Sequence, residues 1–254
     1  MRALLGLVGN KLSHSLSQVY FREKFRSLGL TNADYLLFEL ESIGELPTLL
    51  QQHNALVGFN VTIPFKQDVI KYLDDIDDVA KEAGAVNTVL IVNGNLKGFN
   101  TDVVGFEQTL LPLLKRFHQP VKALVLGAGG SAKAVAFVLR KQGIPFAVVS
   151  RRLHHGDLTY EELTDATIQN HLLIVNSTPL GMQPNVASFP DLPYEAVTPN
   201  HVLIDLVYNP LETQFLKFGG AKQATCVNGL SMLYAQADAA WEIWKHRFVQ
   251  RQPG

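Results

Sequence analysis

LVLGAGGSAKAV, residues 124–135, is the stretch on which the fold turns. An apolar run ends at Leu126. Gly127, Gly129 and Ala132 then fill the positions of a G-x-G-x-x-G/A fingerprint, and a helical pattern follows. Each small residue has a mechanical reason. The first glycine permits the tight turn, the second lets a pyrophosphate approach the backbone, and the third lets helix and strand pack closely, with the helix N-terminus facing the phosphates. An ordinary strand–helix turn is the plain alternative, but the strand before and the helix after supply the context the fingerprint requires.

Outward from this turn, the next strand-like run is PFAVVS (145–150), followed by Arg151 and Arg152. A site for NAD places an acidic residue about 20 residues past the fingerprint, where it binds the ribose 2′-hydroxyl. Ser150-Arg151-Arg152 stands there instead. A guanidinium binds a 2′-phosphate in bidentate fashion, whereas a carboxylate would repel it, so the expected cofactor is NADP. Two solvated arginines at a strand end are the alternative.

Strand-like and helix-like stretches alternate along the rest of the chain. Strands are expected at 2–9, 34–40, 56–63, 122–126, 145–150, 172–177 and 202–207, with a hairpin over 85–99 turning at Asn93-Gly94-Asn95. Helices are expected at 17–29, with Val19, Phe21, Phe25 and Leu28 as its apolar positions, and at 43–52, 67–73, 102–117, 131–143 and 230–249. Such alternation implies an α/β protein with parallel sheets covered by helices.

Bulk properties narrow the class. The 254 residues suit one large domain or two small ones, and 47% hydrophobic with 18% charged residues is enough apolar material for a core. A net charge of −1 lacks the basic footprint of a nucleic-acid binder. The single cysteine, Cys226, excludes an internal disulfide and is compatible with a reducing compartment. The apolar opening ALLGLVG is too short for a signal peptide, and no run approaches the roughly 18 residues that span a bilayer. A cytoplasmic protein without membrane partners is expected. No metal site is visible, and His154-His155 reads as a solvated pair.

The remaining chemistry lies in polar residues at strand ends. In GFNVTIPFKQD (58–68), Phe59, Val61, Ile63 and Phe65 alternate with Asn60 and Thr62, and Lys66 follows at once. A nicotinamide enzyme must move a proton as well as a hydride. A lysine just past the carboxyl end of a strand is a candidate for that task, with Asn60 and Thr62 placed to hold neighbouring hydroxyls. Alone, such a lysine usually reads as a solvated surface residue. GFNTDVVGF (98–106) adds Asp102, which alone reads equally well as a helix N-cap. GAVNT (84–88) adds Asn87. NKLSHSLS (10–17) clusters Ser13, Ser15 and Ser17, which suit either a helix cap or a carboxylate. Polar turns of this kind fit a small, hydroxyl-rich acid.

Together these stretches resemble the shikimate dehydrogenases. GNKLSHSLS (9–17), GFNVTIPFK (58–66), GAVNT (84–88), GFNTD (98–102), GAGGSAKAV (127–135), NSTPLGM (176–182), DLVYNPLET (205–213) and NGLSMLYAQA (228–237) follow in the family's order from near Leu5 to near Trp244. The resemblance implies NADP-dependent, reversible reduction of 3-dehydroshikimate to shikimate in chorismate and aromatic amino-acid biosynthesis. It implies two α/β domains: a discontinuous substrate-binding domain, 1–101 plus 230–254, and a Rossmann-type doubly wound NADP domain, 102–229. It assigns Lys66 and Asp102 as the catalytic pair and Ser15 and Ser17 to the substrate carboxylate. Thr62, Asn87, Asp102 and Gln236 go with Lys66 to the ring hydroxyls, and Tyr208 lies near the substrate. Gly127, Ala128, Gly129, Gly130, Ser131 and Ala132 would cradle the pyrophosphate. Ser150, Arg151 and Arg152 would meet the 2′-phosphate end, and Leu206 and Gly229 the nicotinamide.

Three departures from the family pattern stand out. Gln18 replaces a proline after Ser17, Ser150 replaces an asparagine before Arg151, and the connection LHHGDLTYEEL (153–163) is short. NSTPLGM reads equally as a tight turn shaped by Thr178-Pro179. Two rivals stand beside this reading: a quinate/shikimate dehydrogenase with relaxed cofactor use, and a catalytically silent NADP-binding regulatory paralogue, which would keep the glycine turn but lose the Lys66–Asp102 pair that this chain retains. Monomer and homodimer are both compatible with the sequence.

Overall fold

Apolar runs such as ALLGLVG and ALVL lack the alternation of a half-wet strand, and in the structure they are buried at every position. The computed structural model describes residues 3–13 and 15–249. It forms two units: residues up to Val104 together with those from Tyr234 onward, and Gly105–Leu233.

The first unit runs β1 (Ala3–Gly9), α1 (Ser17–Ser27), β2 (Ala33–Glu39), α2 (Leu46–Gln52), β3 (Leu56–Val61), β4 (Asp75–Ile76), α3 (Asp78–Ala83), β5 (Thr88–Val92) and β6 (Asn95–Phe99), and then enters α4 (Asp102–Leu114). Its sheet has the order β2-β1-β3-β5-β6-β4. β1 lies parallel to β2 and β3, but β5 is antiparallel to both β3 and β6, so the hairpin makes mixed a sheet that alternation alone makes parallel. Asn93 (φ 52°) and Gly94 (φ 85°) both take positive φ, as a two-residue hairpin turn matched to strand twist requires.

Several local expectations shift. In α1 only Phe21 and Phe25 face inward among the four apolar positions. Val19 sits on the opposite side and Leu28 lies past the helix end, 56% and 50% exposed. Residues Asp68–Tyr72 form a 3₁₀ segment rather than an α-helix. β3 pairs with β1 through a bulge at Val57: Leu4 faces Leu56 while Leu5 faces Gly58. The extra residue flips the parity, so Leu56, Phe59 and Val61 enter one core cluster and Val57 the other. β3 stops at Val61, ahead of the cis Ile63–Pro64 bond, and the period of two stops with it, leaving Ile63 49% exposed.

The second unit contains β7 (Ala123–Leu126), α5 (Gly130–Lys141), β8 (Phe146–Ser150), β9 (Leu158–Thr159), α6 (Asp165–Asn170), β10 (Leu173–Asn176), β11 (Val202–Asp205), α7 (Gln214–Ala221) and β12 (Thr225–Val227). All six strands are parallel, in the order β12-β11-β10-β7-β8-β9. Counted within the unit this is the Rossmann order 3-2-1-4-5-6, and the winding reverses between β7 and β10.

The chain then returns to the first unit through α8 (Leu230–Trp244) and α9 (His246–Val249), two helices separated at Lys245 where one continuous helix is expected. Trp241 and Trp244 join Phe21, Phe25, Tyr35 and Val57 in a core. Trp244 is fully buried, and its Nε1 donates to the Val89 carbonyl at 3.0 Å. It lies over Gly58, where a Cβ would stand only 2.3 Å from that nitrogen. Among the described residues no helix is long and apolar enough to cross a membrane.

Candidate active site

Neighbouring parallel strands β1 and β3, with Val8 opposite Val61, send their following loops out from the same edge. The loops are tied together: Thr62 N–H donates to Val8 O at 2.9 Å and Asn10 N–H to Ile63 O at 3.3 Å. The first loop carries Ser15, whose Oγ accepts the Ser17 N–H at 3.3 Å, and delivers Ser17, buried, as the opening residue of α1. Gln18, where the family pattern has proline, donates from Nε2 to Tyr35 O at 2.9 Å and anchors the start of α1 to β2. The second loop carries Thr62, half-buried, and Lys66, buried.

Lys66 Nζ donates to Asp102 Oδ2 at 2.6 Å, with the two residues 8% and 5% exposed. Asp102 opens α4, the place of a capping carboxylate. Asn100 serves there instead: its Oδ1 accepts the Val103 N–H at 3.3 Å, and its Nδ2 donates to Ala85 O at 2.8 Å. The Asp102 carboxylate is thereby committed to side chains. Asn87, just before β5, donates from Nδ2 to Asp102 Oδ1 at 2.9 Å and reaches Gln236 Oε1 of α8 at 3.4 Å. Lys66, Asn87, Asp102 and Gln236 are thus brought together by hydrogen bonds from four segments distant in sequence. An ion pair this buried needs its remaining hydrogen-bonding capacity satisfied to offset desolvation, and Asn87 contributes to that at the second oxygen.

Asn60 does not face this group as the period-of-two reading expects. Its Oδ1 accepts from Tyr35 OH at 2.7 Å, and its Nδ2 donates to Asn87 O at 3.2 Å and Thr88 Oγ1 at 3.0 Å. It belongs to a polar layer beneath the Lys66–Asp102 pair.

In the second unit, the glycine turn follows β7 at the switch point of the sheet. Gly127 has φ +102°, which L side chains rarely adopt, and a Cβ there would lie 2.9 Å from Thr178 Cγ2. Gly129 precedes α5, and a Cβ on it would meet nothing within 4 Å, so the helix N-terminus with Gly130, Ser131 and Ala132 is approachable. After β8, Ser150 Oγ accepts the Arg152 N–H at 3.2 Å and donates to Arg152 O at 3.0 Å. Ser150 therefore closes the turn that leaves the Arg151 and Arg152 side chains exposed. The Tyr160 phenol lies within the field of Arg151, and burial pushes its pKa up to about 12.

Two further segments, after β10 and β11, are locked by a buried carboxylate that sequence reading passes over. Asp205 accepts from Asn176 Nδ2 at 2.9 Å, from Val207 N–H at 3.0 Å and from Thr213 Oγ1 at 2.5 Å. Burial pushes its pKa up to about 6 against the opposing pull of those donors. Asn176 Oδ1 in turn accepts from Thr178 N–H (3.0 Å) and Thr178 Oγ1 (2.6 Å), which shapes the NSTPLGM turn. Gly229 N–H donates to Val207 O at 3.0 Å, and a Cβ on Gly229 would stand 2.2 Å from Leu206 O, so these two predicted contacts adjoin and position 229 tolerates no side chain. Tyr208, partly buried, lies on the same segment after β11.

Residues 7–89 match the model of the shikimate dehydrogenase substrate binding domain. Over 252 residues the chain is 42% identical to the shikimate dehydrogenase (NADP(+)) of Clostridium beijerinckii, covering 94% of this chain and 91% of that protein. The chain belongs to the shikimate dehydrogenase family. The solved shikimate 5-dehydrogenase of Thermus thermophilus, in complex with NADP(H) and shikimate, superposes with a TM-score of 0.82 at 34% identity, over 96% of this chain and 94% of that one. Quinate dehydrogenase of Corynebacterium glutamicum, in complex with NAD, superposes with a TM-score of 0.84 at 27% identity, over 96% and 94% of the two chains. Within the family framework, Tyr35 and Thr88 are further polar residues that sequence reading does not single out, and Thr101 is one that it places between a strand and a helix without a role. Thr88 and Thr101 sit inside quoted motifs, but only strand pairing reveals that they meet Asn60 and Asn87.

Proposed function

We propose that this chain interconverts 3-dehydroshikimate and shikimate with NADP(H), with Lys66 and Asp102 handling the proton. The reading rests on the Lys66–Asp102 pair, 2.6 Å apart and buried, with Asn87 on the other carboxylate oxygen. The positive φ of Gly127, the open approach at Gly129 and the exposed Arg151 fit the cofactor. Gly127, Ala128, Gly129, Gly130, Ser131 and Ala132 would hold its pyrophosphate, Ser150, Arg151 and Arg152 its 2′-phosphate end, and Leu206 and Gly229 the nicotinamide. When bound, NADP(H) supplies or takes the hydride.

The protein's part is proton handling and orientation. In reduction the Lys66 ammonium donates a proton to the oxygen on which negative charge develops, and Asp102 fixes the direction of the amine. In oxidation the proton returns along the same path, as microscopic reversibility requires. Ser15 and Ser17 meet the substrate carboxylate with hydroxyls rather than a cation, Thr62, Asn87 and Gln236 join Lys66 and Asp102 at the ring hydroxyls, and Tyr208 lies near the substrate. The chain works in the cytoplasm, as monomer or homodimer. The single cysteine, Cys226, is compatible with that location.

Absorbance of NADPH followed with shikimate and NADP+ tests the reading, and no shikimate-dependent signal would defeat it. The likeness to quinate dehydrogenase favours a second reading, in which quinate and NAD are also used. Ser150-Arg151-Arg152 offers no carboxylate to a ribose 2′-hydroxyl, which favours NADP. Rates with each cofactor and each acid separate the two readings.

A further inference from the structure

Beneath the Lys66–Asp102 pair, five buried polar side chains form a continuous line whose hydrogen-bond direction can be worked out. The line is anchored by two backbone groups that cannot reverse. The Asn87 carbonyl can only accept, so the Asn60 atom 3.2 Å from it is Nδ2. That leaves Oδ1 of Asn60 to accept from Tyr35 OH at 2.7 Å, and it commits Nδ2 to Thr88 Oγ1 at 3.0 Å. Having accepted there, Thr88 has its own hydrogen to give, either directly to Asn87 Oδ1 at 3.1 Å or to Thr101 Oγ1 at 3.1 Å, whose own hydrogen then reaches Asn87 Oδ1 at 3.2 Å. The second anchor is the Thr101 N–H, which can only donate and points at Asn87 Oδ1 at 2.7 Å. Both ends therefore agree that the Asn87 oxygen faces Thr88 and Thr101. Its NH₂ must face Asp102 Oδ1 at 2.9 Å and Thr101 Oγ1 at 3.0 Å.

We infer that Tyr35, Asn60 and Thr88 are positioning residues for the proton-handling pair: their donor chain locks the Asn87 amide so that it gives, rather than accepts, at Asp102. The inference rests on the role proposed above for Lys66 and Asp102. A flipped Asn87 would set its carbonyl oxygen against the carboxylate, push Asp102 away, and take Lys66 with it. Fixed orientation matters because proton transfer needs the donor within hydrogen-bond reach of the reacting oxygen. Every member of the line is buried: Asn60 is 5% exposed, Asn87 and Thr101 3%, and Tyr35 and Thr88 0%. Water does not readily replace a missing link in such a place.

Thr88→Val keeps the branched shape and removes the hydroxyl, whereas Thr88→Ser keeps the hydroxyl. With the wild type shown to oxidise shikimate and Lys66→Ala shown to be impaired, Thr88→Val is expected to lower kcat about 10-fold or more, with KM moving less than about threefold. Thr88→Ser is expected to recover most of the loss. Wild-type kcat in Thr88→Val, or equal losses in Val and Ser, would overturn the inference while leaving the Lys66 assignment standing. A second readout needs no turnover. In ¹H–¹⁵N spectra of the free protein, the Asn87 side-chain amide should give two exchange-protected signals, and Tyr35→Phe, which keeps the ring stacked on Phe21 (4.5 Å between centroids), should shift them. Unprotected signals, or signals unmoved in Tyr35→Phe, also overturn it.

Discussion

Lys66 and Asp102 are ambiguous one at a time. A lysine after a strand usually ends in solvent, and an aspartate opening a helix usually caps it. The structure removes both readings at once, because Asn100 takes the capping role and Lys66 is buried 2.6 Å from the carboxylate. Lys66→Ala is expected to cut kcat by about 10²–10⁴-fold, the usual cost of losing a general acid–base group, while substrate affinity changes far less. Steady-state kinetics with shikimate and NADP+ check this, and near-normal turnover would remove Lys66 from the chemistry. Ser15 belongs to binding rather than to proton transfer. A hydrogen bond to a charged acceptor contributes roughly 1.5–3 kcal/mol, so Ser15→Ala is expected to raise KM for shikimate by about 10- to 100-fold with kcat little changed. A loss confined to kcat would contradict that role.

Among the elements, those that carry glycine or a bare apolar run were legible, and those fixed by tertiary partners were not. Gly127 announced its turn because only a residue free to take φ +102° fits there. Asn93-Gly94 announced the hairpin for the same reason. The bulge at Val57 left no mark in the sequence, since it exists only in the register between β1 and β3. Nor did the Asp205 clamp, whose partners lie 29 and 8 residues away. That clamp joins the ends of β10 and β11 to the start of α7, and burial raises the Asp205 pKa to about 6 despite three donors. A carboxyl whose folded pKa is raised above its unfolded value holds its extra stability below the unfolded value, near 4, and loses it as pH rises through about 6. The loss is about 3 kcal/mol for a shift of this size. Asp205→Asn can keep the contacts, because Oδ1 still accepts from Asn176 and Val207 while the new amide donates to Thr213. Urea unfolding of both proteins from pH 4 to 7 should show the wild type losing stability relative to the variant. A difference that is flat, or that grows in favour of the wild type, would refute it.

For the whole molecule, the decisive long-range feature is the return of the chain to its first unit. Residues from Tyr234 onward complete a core begun by β1 and α1, so this unit cannot close until the last helices arrive. The contact that locks them is Trp244 over Gly58, with the indole N–H on Val89 O at 3.0 Å. A Cβ at position 58 would meet that nitrogen at 2.3 Å and the Val89 carbonyl at 2.7 Å. One of the two is backbone and the other is pinned by a buried hydrogen bond, so neither can retreat without loss. Gly58→Ala is therefore expected to destabilise the first unit by about 1–3 kcal/mol, as overpacking does. Both tryptophans of the chain, Trp241 and Trp244, lie in this unit, so their fluorescence reports its unfolding directly. Thermal melts followed by tryptophan emission should show the Gly58→Ala transition several degrees below the wild type. An unchanged melt would mean that α8 reaches its place without needing the space that glycine leaves.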